Sequence, residues 1–119
     1  MGLSYNNIID ADGHILEPAD TWERYIDPAF RDRALRISKR DGKDVLEIDG
    51  KPSAFFDVKV LTMLGAMGKS TEELASMMEE PYPGNAPFGS MDPSERVEHL
   101  DAEGIAKAIL YPSLGLTWE

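Results

Sequence analysis

The stretch Ile8-Ile9-Asp10-Ala11-Asp12-Gly13-His14-Ile15-Leu16-Glu17 sets carboxylates and an imidazole where a short apolar run stops. Leu3 to Asp10 reads as a strand. Its Ile8-Ile9 pair does not alternate with polar residues, the pattern of a strand covered on both faces in a parallel sheet. The carboxyl ends of such strands are where α/β folds gather their chemistry. Asp12 and His14 lie two residues apart, so on an extended backbone both side chains leave the same face and can converge on one ion. Taken without context, the same string also fits a turn capped by Asp10 and Asp12 with an ordinary, partly exposed histidine.

Downstream, Trp22, Tyr25 and Ile26 at helical spacing predict a short helix over Pro18 to Ile26, stopped before Pro28. Leu35 and Ile37, then Leu46 and Ile48, alternate with polar residues on either side of Asp41-Gly42, which predicts a hairpin. Asp49-Gly50 turns the chain again. Residues 53 to 70 carry apolar residues without a decisive period. Ser70 or Thr71 can cap a helix running to Met78, with Glu72 and Glu73 in its first turn. Pro81 to Ser90, rich in proline and glycine, is a loop.

The strongest helix signal spans residues 92 to 103. Asp92 suits the N-cap, Pro93 the first turn and Glu95 the capping-box position, and Gly104 closes the far end. Ala106 to Tyr111 then reads as a second buried strand, ended by Pro112. A helix crossing between two buried strands predicts that the strands pair in parallel, hence an α/β fold.

Composition narrows the function classes. A chain of 119 residues with 42% hydrophobic content supports one modest domain. The net charge of −10 argues against a nucleic-acid partner, because phosphate binding depends on clustered Lys and Arg. Arg31, Arg33, Arg36, Lys39 and Arg40 do cluster, but acids flank them, and they read as a solvated face. With no cysteine, any metal takes oxygen and nitrogen ligands, which suits Zn²⁺ first and Mn²⁺ or Fe²⁺ after it. No apolar stretch reaches the roughly 20 residues of a membrane span, and the amino terminus lacks the pattern of an export signal. The expectation is a cytoplasmic chain with no membrane partner.

From Ile8 onward, IIDADGHILEPADTWERYIDPAFRDRALRI resembles the opening of the amidohydrolase-related family, the group similar to aminocarboxymuconate-semialdehyde decarboxylase. MDPSERVEHLDAEGIAKAILYPSLGL resembles the same family's first barrel helix and second strand. The resemblance implies that residues 1–119 are the N-terminal portion of a (β/α)₈ barrel: first strand, a hairpin and helical insertion at about 17–90, first barrel helix, second strand. It also implies a homo-oligomeric parent enzyme that hydrolyses or decarboxylates a small carboxylate or aromatic substrate. In the family the first strand ends in two metal ligands one residue apart, usually His-x-His or Glu-x-His, and the matching positions here are Asp12 and His14. Aspartate in the first slot departs from that pattern. Glu17 falls close enough to contact substrate or to support the ligands, and an ordinary surface carboxylate fits the same position. A barrel of this kind needs about 250 residues, so the remaining ligands and the general base are expected beyond residue 119, and the chain alone is expected to be inactive. His99 lies off the helix's apolar stripe and is expected to be solvated.

Two alternatives stand beside this reading. Asp10-Ala11-Asp12-Gly13 resembles the nucleophile motif of haloacid-dehalogenase-like, Mg²⁺-dependent phosphotransferases, with Asp10 and Asp12 as the reacting pair and Ser113 as the second-motif hydroxyl. His14 stands where that class carries threonine or valine. The other alternative is a truncated, non-catalytic interaction module.

Overall fold

A computed structural model describes residues 7–58, 60, 63, 66, 68–84 and 86–117. The chain divides into two compact units. The first takes the segments Met1–Glu17 and Pro87–Leu116, and the second takes Pro18–Ala86 and Thr117–Glu119.

The first unit is built on two parallel strands, β1 (Ile8–His14) and β5 (Ile105–Tyr111), paired from Ile8↔Ile105 to His14↔Tyr111. The strand beginning expected at Leu3 to Asn6 lies outside the described residues. At its other end β1 continues past Asp10 to His14, so Asp12 and His14 sit on the strand itself. The extension is held by a bulge. Between the pairs Asp10↔Ala108 and Gly13↔Leu110, β1 advances three residues while β5 advances two. The Asp12 N–H inside the bulge donates to Oδ1 of Asp10 at 3.0 Å, a local side-chain bond that replaces a ladder bond.

The connection between these strands ends in helix α3 (Pro93–Glu103), which packs on β5. Asp92 caps it by accepting the N–H groups of Ser94 and Glu95 at 2.8 and 3.0 Å, and Pro93 sets the first turn. Gly104 ends it in the left-handed conformation at φ 70°. Caps of this kind contribute about 1 kcal/mol each. Glu95 bonds to the N–H of Gly89 at 3.1 Å rather than closing a capping box.

One expectation is corrected here. Both strands were expected to be buried, yet Ile9 is 58% and Ile109 is 51% exposed. A parallel pair needs layers on both faces, and one helix covers only part of one. Leu16 and Leu114 are the buried apolar residues of this unit.

The second unit contains helix α1 (Thr21–Tyr25), a 3₁₀ helix (Pro28–Arg33), an antiparallel sheet and helix α2 (Thr71–Met77). Strands β2 (Arg36–Arg40) and β3 (Lys43–Ile48) form the expected hairpin about Asp41-Gly42, whose φ angles of 52° and 77° match a two-residue turn of the twist that hairpins favour. Asp49-Gly50 repeats the device and adds a short third strand, β4 (Lys51–Pro52), which the pattern did not announce. Ser70 is the cap of α2. Its hydroxyl accepts from the Glu73 N–H while the Glu73 carboxylate accepts from the Ser70 N–H, a complete capping box. Much of the ambiguous stretch from 59 to 67 lies outside the described residues. Buried apolar residues of this unit include Ala34, Leu46, Val58, Met77 and Tyr82.

Most of the basic cluster is paired with acids locally. Arg33 pairs with Asp49, Lys39 with Asp44 and Arg40 with Glu47, and Arg36 lies 4.0 Å from Glu23.

Candidate metal centre

The bulge decides what the rim of β1 presents. With Gly13 buried on one side of the strand, Asp12 and His14 both project from the other, and Asp12 Oδ1 lies 3.7 Å from His14 Nε2. Two donors each about 2.1 Å from a shared ion are separated by about 3.0 to 3.7 Å over coordination angles from octahedral to somewhat wider than tetrahedral. The separation of the pair is thus compatible with both atoms sharing one divalent ion. Both groups are open to solvent, Asp12 at 88% and His14 at 41% side-chain exposure. Among the described residues no cluster of three or more His, Asp, Glu or Cys is placed to hold an ion, so an ion at this pair would need further ligands.

His14 is fixed from three directions. Its main-chain carbonyl accepts from Nη2 of Arg96 on α3 at 2.6 Å. The next residue, Ile15, donates its N–H to the Tyr111 carbonyl at 3.0 Å, carrying the parallel pairing one step past the strand. The Tyr111 ring stands 5.9 Å from the imidazole, tilted by 39°. Spacing in the sequence could not have linked His14 to Arg96 and Tyr111, which are remote in the chain and brought close only by the parallel register.

Glu17 takes a different place from the other acids. It is 6% exposed, and its carboxylate accepts three successive main-chain N–H groups: Ser113 at 3.2 Å, Leu114 at 2.9 Å and Gly115 at 3.0 Å. These belong to the turn after β5 that runs into a second 3₁₀ helix (Leu114–Leu116). The carboxylate is thus buried against the main chain of residues 113–115. Asp10 is likewise engaged: Oδ1 accepts from Asp12, and Oδ2 lies against Gly13. The Ser113 side chain, the hydroxyl that a phosphotransferase would need, is buried with no hydrogen-bond partner for Oγ. His99 is exposed on α3.

The clearest electrostatic perturbation is elsewhere, in the second unit. Burial raises the Glu47 carboxyl, but hydrogen bonds from Ser38 and Arg40 and the charges of Arg40 and Arg36 together outweigh it, and the net result is a pKa below the ordinary value of 4.5. This is an ion pair of the hairpin. Two clefts of about 260 and 450 Å³ also lie in that unit, around Asp44 and Val58, and neither is lined by Asp12 or His14.

No family model and no curated protein matches the chain. Among solved structures it is similar to an amidohydrolase from Mycobacterium avium subsp. paratuberculosis K-10, with a TM-score of 0.61 and 20% identity. The match covers 96% of this chain and 32% of that one, so the chain spans about a third of its neighbour's length. At this identity the likeness shows fold, not activity. The chain has a mixed α/β fold similar to part of that structure, with one parallel and one antiparallel sheet among the described residues.

Proposed function

We propose that this chain is the N-terminal portion of a metal-dependent enzyme of the amidohydrolase superfamily, and that Asp12 and His14 supply two ligands to its ion. The observation that carries the proposal is the 3.7 Å approach of Asp12 Oδ1 and His14 Nε2 at the carboxyl end of the parallel strand β1. The fold shared with a solved amidohydrolase supports it. Asp12 and His14 would hold a divalent ion, zinc first with manganese or iron also compatible, and such an ion would supply Lewis-acid chemistry toward a carboxylate, a carbonyl group or water.

This chain's own residues then have defined tasks. Asp12 offers an anionic oxygen and His14 a ring nitrogen, Arg96 anchors the His14 carbonyl, and Tyr111 places an aromatic edge beside the imidazole. The general base and further ligands come from strands outside residues 1–119, which is why the isolated chain is inactive on this reading. The reaction class is hydrolysis or non-oxidative decarboxylation of a small carboxylate or aromatic substrate, in a cytoplasmic and homo-oligomeric parent. Metal analysis of the full-length parent tests the proposal. The Asp12→Ala, His14→Ala double variant is expected to lose at least about tenfold in bound metal. Unchanged metal content in that variant ends the assignment.

A further inference from the structure

We infer that Glu17 is a positioning residue: its carboxylate locks the turn after β5 onto the rim of β1 and thereby holds the Tyr111 ring against His14. The lock joins residues 96 to 98 positions apart in the chain, through three hydrogen bonds to one side chain. A carboxylate 6% exposed is costly to bury unless its oxygens are satisfied. Here main-chain N–H groups satisfy both: Oε2 takes Ser113 and Leu114, and Oε1 takes Gly115. The cradle is shaped for this. Ser113 is 3% and Leu114 is 0% exposed. A Cβ at Gly115 would meet Oε1 of Glu17 at 3.3 Å and Cβ of Pro112 at 3.0 Å, so glycine is what lets the carboxylate come this close.

The consequence for His14 follows from connectivity. Between His14 and Glu17 every link is pinned: the His14 carbonyl by Arg96, the Ile15 N–H by Tyr111, the Leu16 N–H by the Ser90 carbonyl at 2.9 Å, and the Glu17 side chain by 113–115. Tyr111 is two residues before the locked turn. Release of Glu17 frees one end of the segment carrying Tyr111, and the 5.9 Å ring contact with His14 loses its support. The importance of this lock for catalysis rests on the ion-binding reading above; the existence of the lock does not.

The test uses the 119-residue chain and two readouts that need no metal. Glu17→Gln keeps the side-chain volume but replaces one accepting oxygen with a donor. Glu17→Ala removes the acceptor altogether. Both are expected to speed amide hydrogen exchange at residues 113–115 by about tenfold to a hundredfold, the scale of losing charge-assisted bonds, with little change in the β2–β3 hairpin. Both should also shift the His14 ring-proton resonances away from their Tyr111-shielded positions. Acetate, but not chloride, should restore protection in Glu17→Ala by occupying the vacated acceptor position. If Glu17→Ala does not fold, Glu17→Gln carries both readouts. Unchanged exchange at 113–115 in Glu17→Gln, loss of protection spread evenly over the whole chain, or no response to acetate overturns the inference. Failure of the ion-binding reading would leave these readouts untouched, so the two ideas fall separately.

Discussion

A Cβ placed on Gly13 would stand 2.9 Å from Oδ2 of Asp10, and equally close to Cδ2 of Leu110. The Asp10 carboxylate and the β5 strand therefore occupy the space that any side chain at position 13 needs. The Ile109 carbonyl, 3.2 Å from the same point, is main chain and cannot swing away. Gly13 lets β1 lie flat on β5 at the bulge, which in turn sets Asp12 and His14 on a common side. Gly13→Ala should destabilise the first unit by about 1–3 kcal/mol, the usual range for overpacking, as read by urea denaturation. A variant as stable as the parent would show that the strand contact is looser than described.

Acid should act first on the hairpin unit. The folded Glu47 carboxyl titrates below its ordinary value of 4.5, so its ion pair with Arg40 adds stability above that value and loses it as pH falls through the folded pKa. Denaturation midpoints measured from pH 7 down to pH 3 should decline below about pH 4.5, and Glu47→Gln should flatten part of that decline. Equal slopes in the two proteins would assign the acid sensitivity to other carboxylates.

The uncovered parallel pair predicts association. Ile9 at 58% and Ile109 at 51% exposure, with the exposed Tyr111 two residues along the same strand face, leave apolar surface on strands whose outer edges are unpaired among the described residues. Sedimentation of the 119-residue chain should show concentration-dependent self-association, and an Ile9→Ser, Ile109→Ser double variant should weaken it. A parent chain that stays monomeric at high concentration would contradict this.

What the sequence made legible was local. Asp92, Pro93 and Gly104 mark the limits of α3 because caps act within one turn, and Asp41-Gly42 marks the hairpin because two consecutive positive φ angles need such residues. Asp12 and His14 could be put on one face in advance because residues two apart on extended backbone share a face, although their seating on β5 depends on the bulge. The bulge at Asp10–Gly13 was not legible, since it depends on the register against β5. Nor was the direction of Glu17: nothing in HILEP says that its partners are the amides of residues 113–115. The apolar strands read as buried because sequence pattern reports what a strand is built to be covered by, not whether this chain supplies the cover.

Selective broadening by Mn²⁺ of the amide and ring resonances of the 119-residue chain tests the central claim most directly, because paramagnetic relaxation detects even a weak two-ligand site. The account predicts that residues 12–14 broaden first, ahead of the many other surface carboxylates, and that His14→Ala removes this preference. Broadening spread over acidic positions generally, with Asp12 and His14 no more affected than the rest, would contradict it.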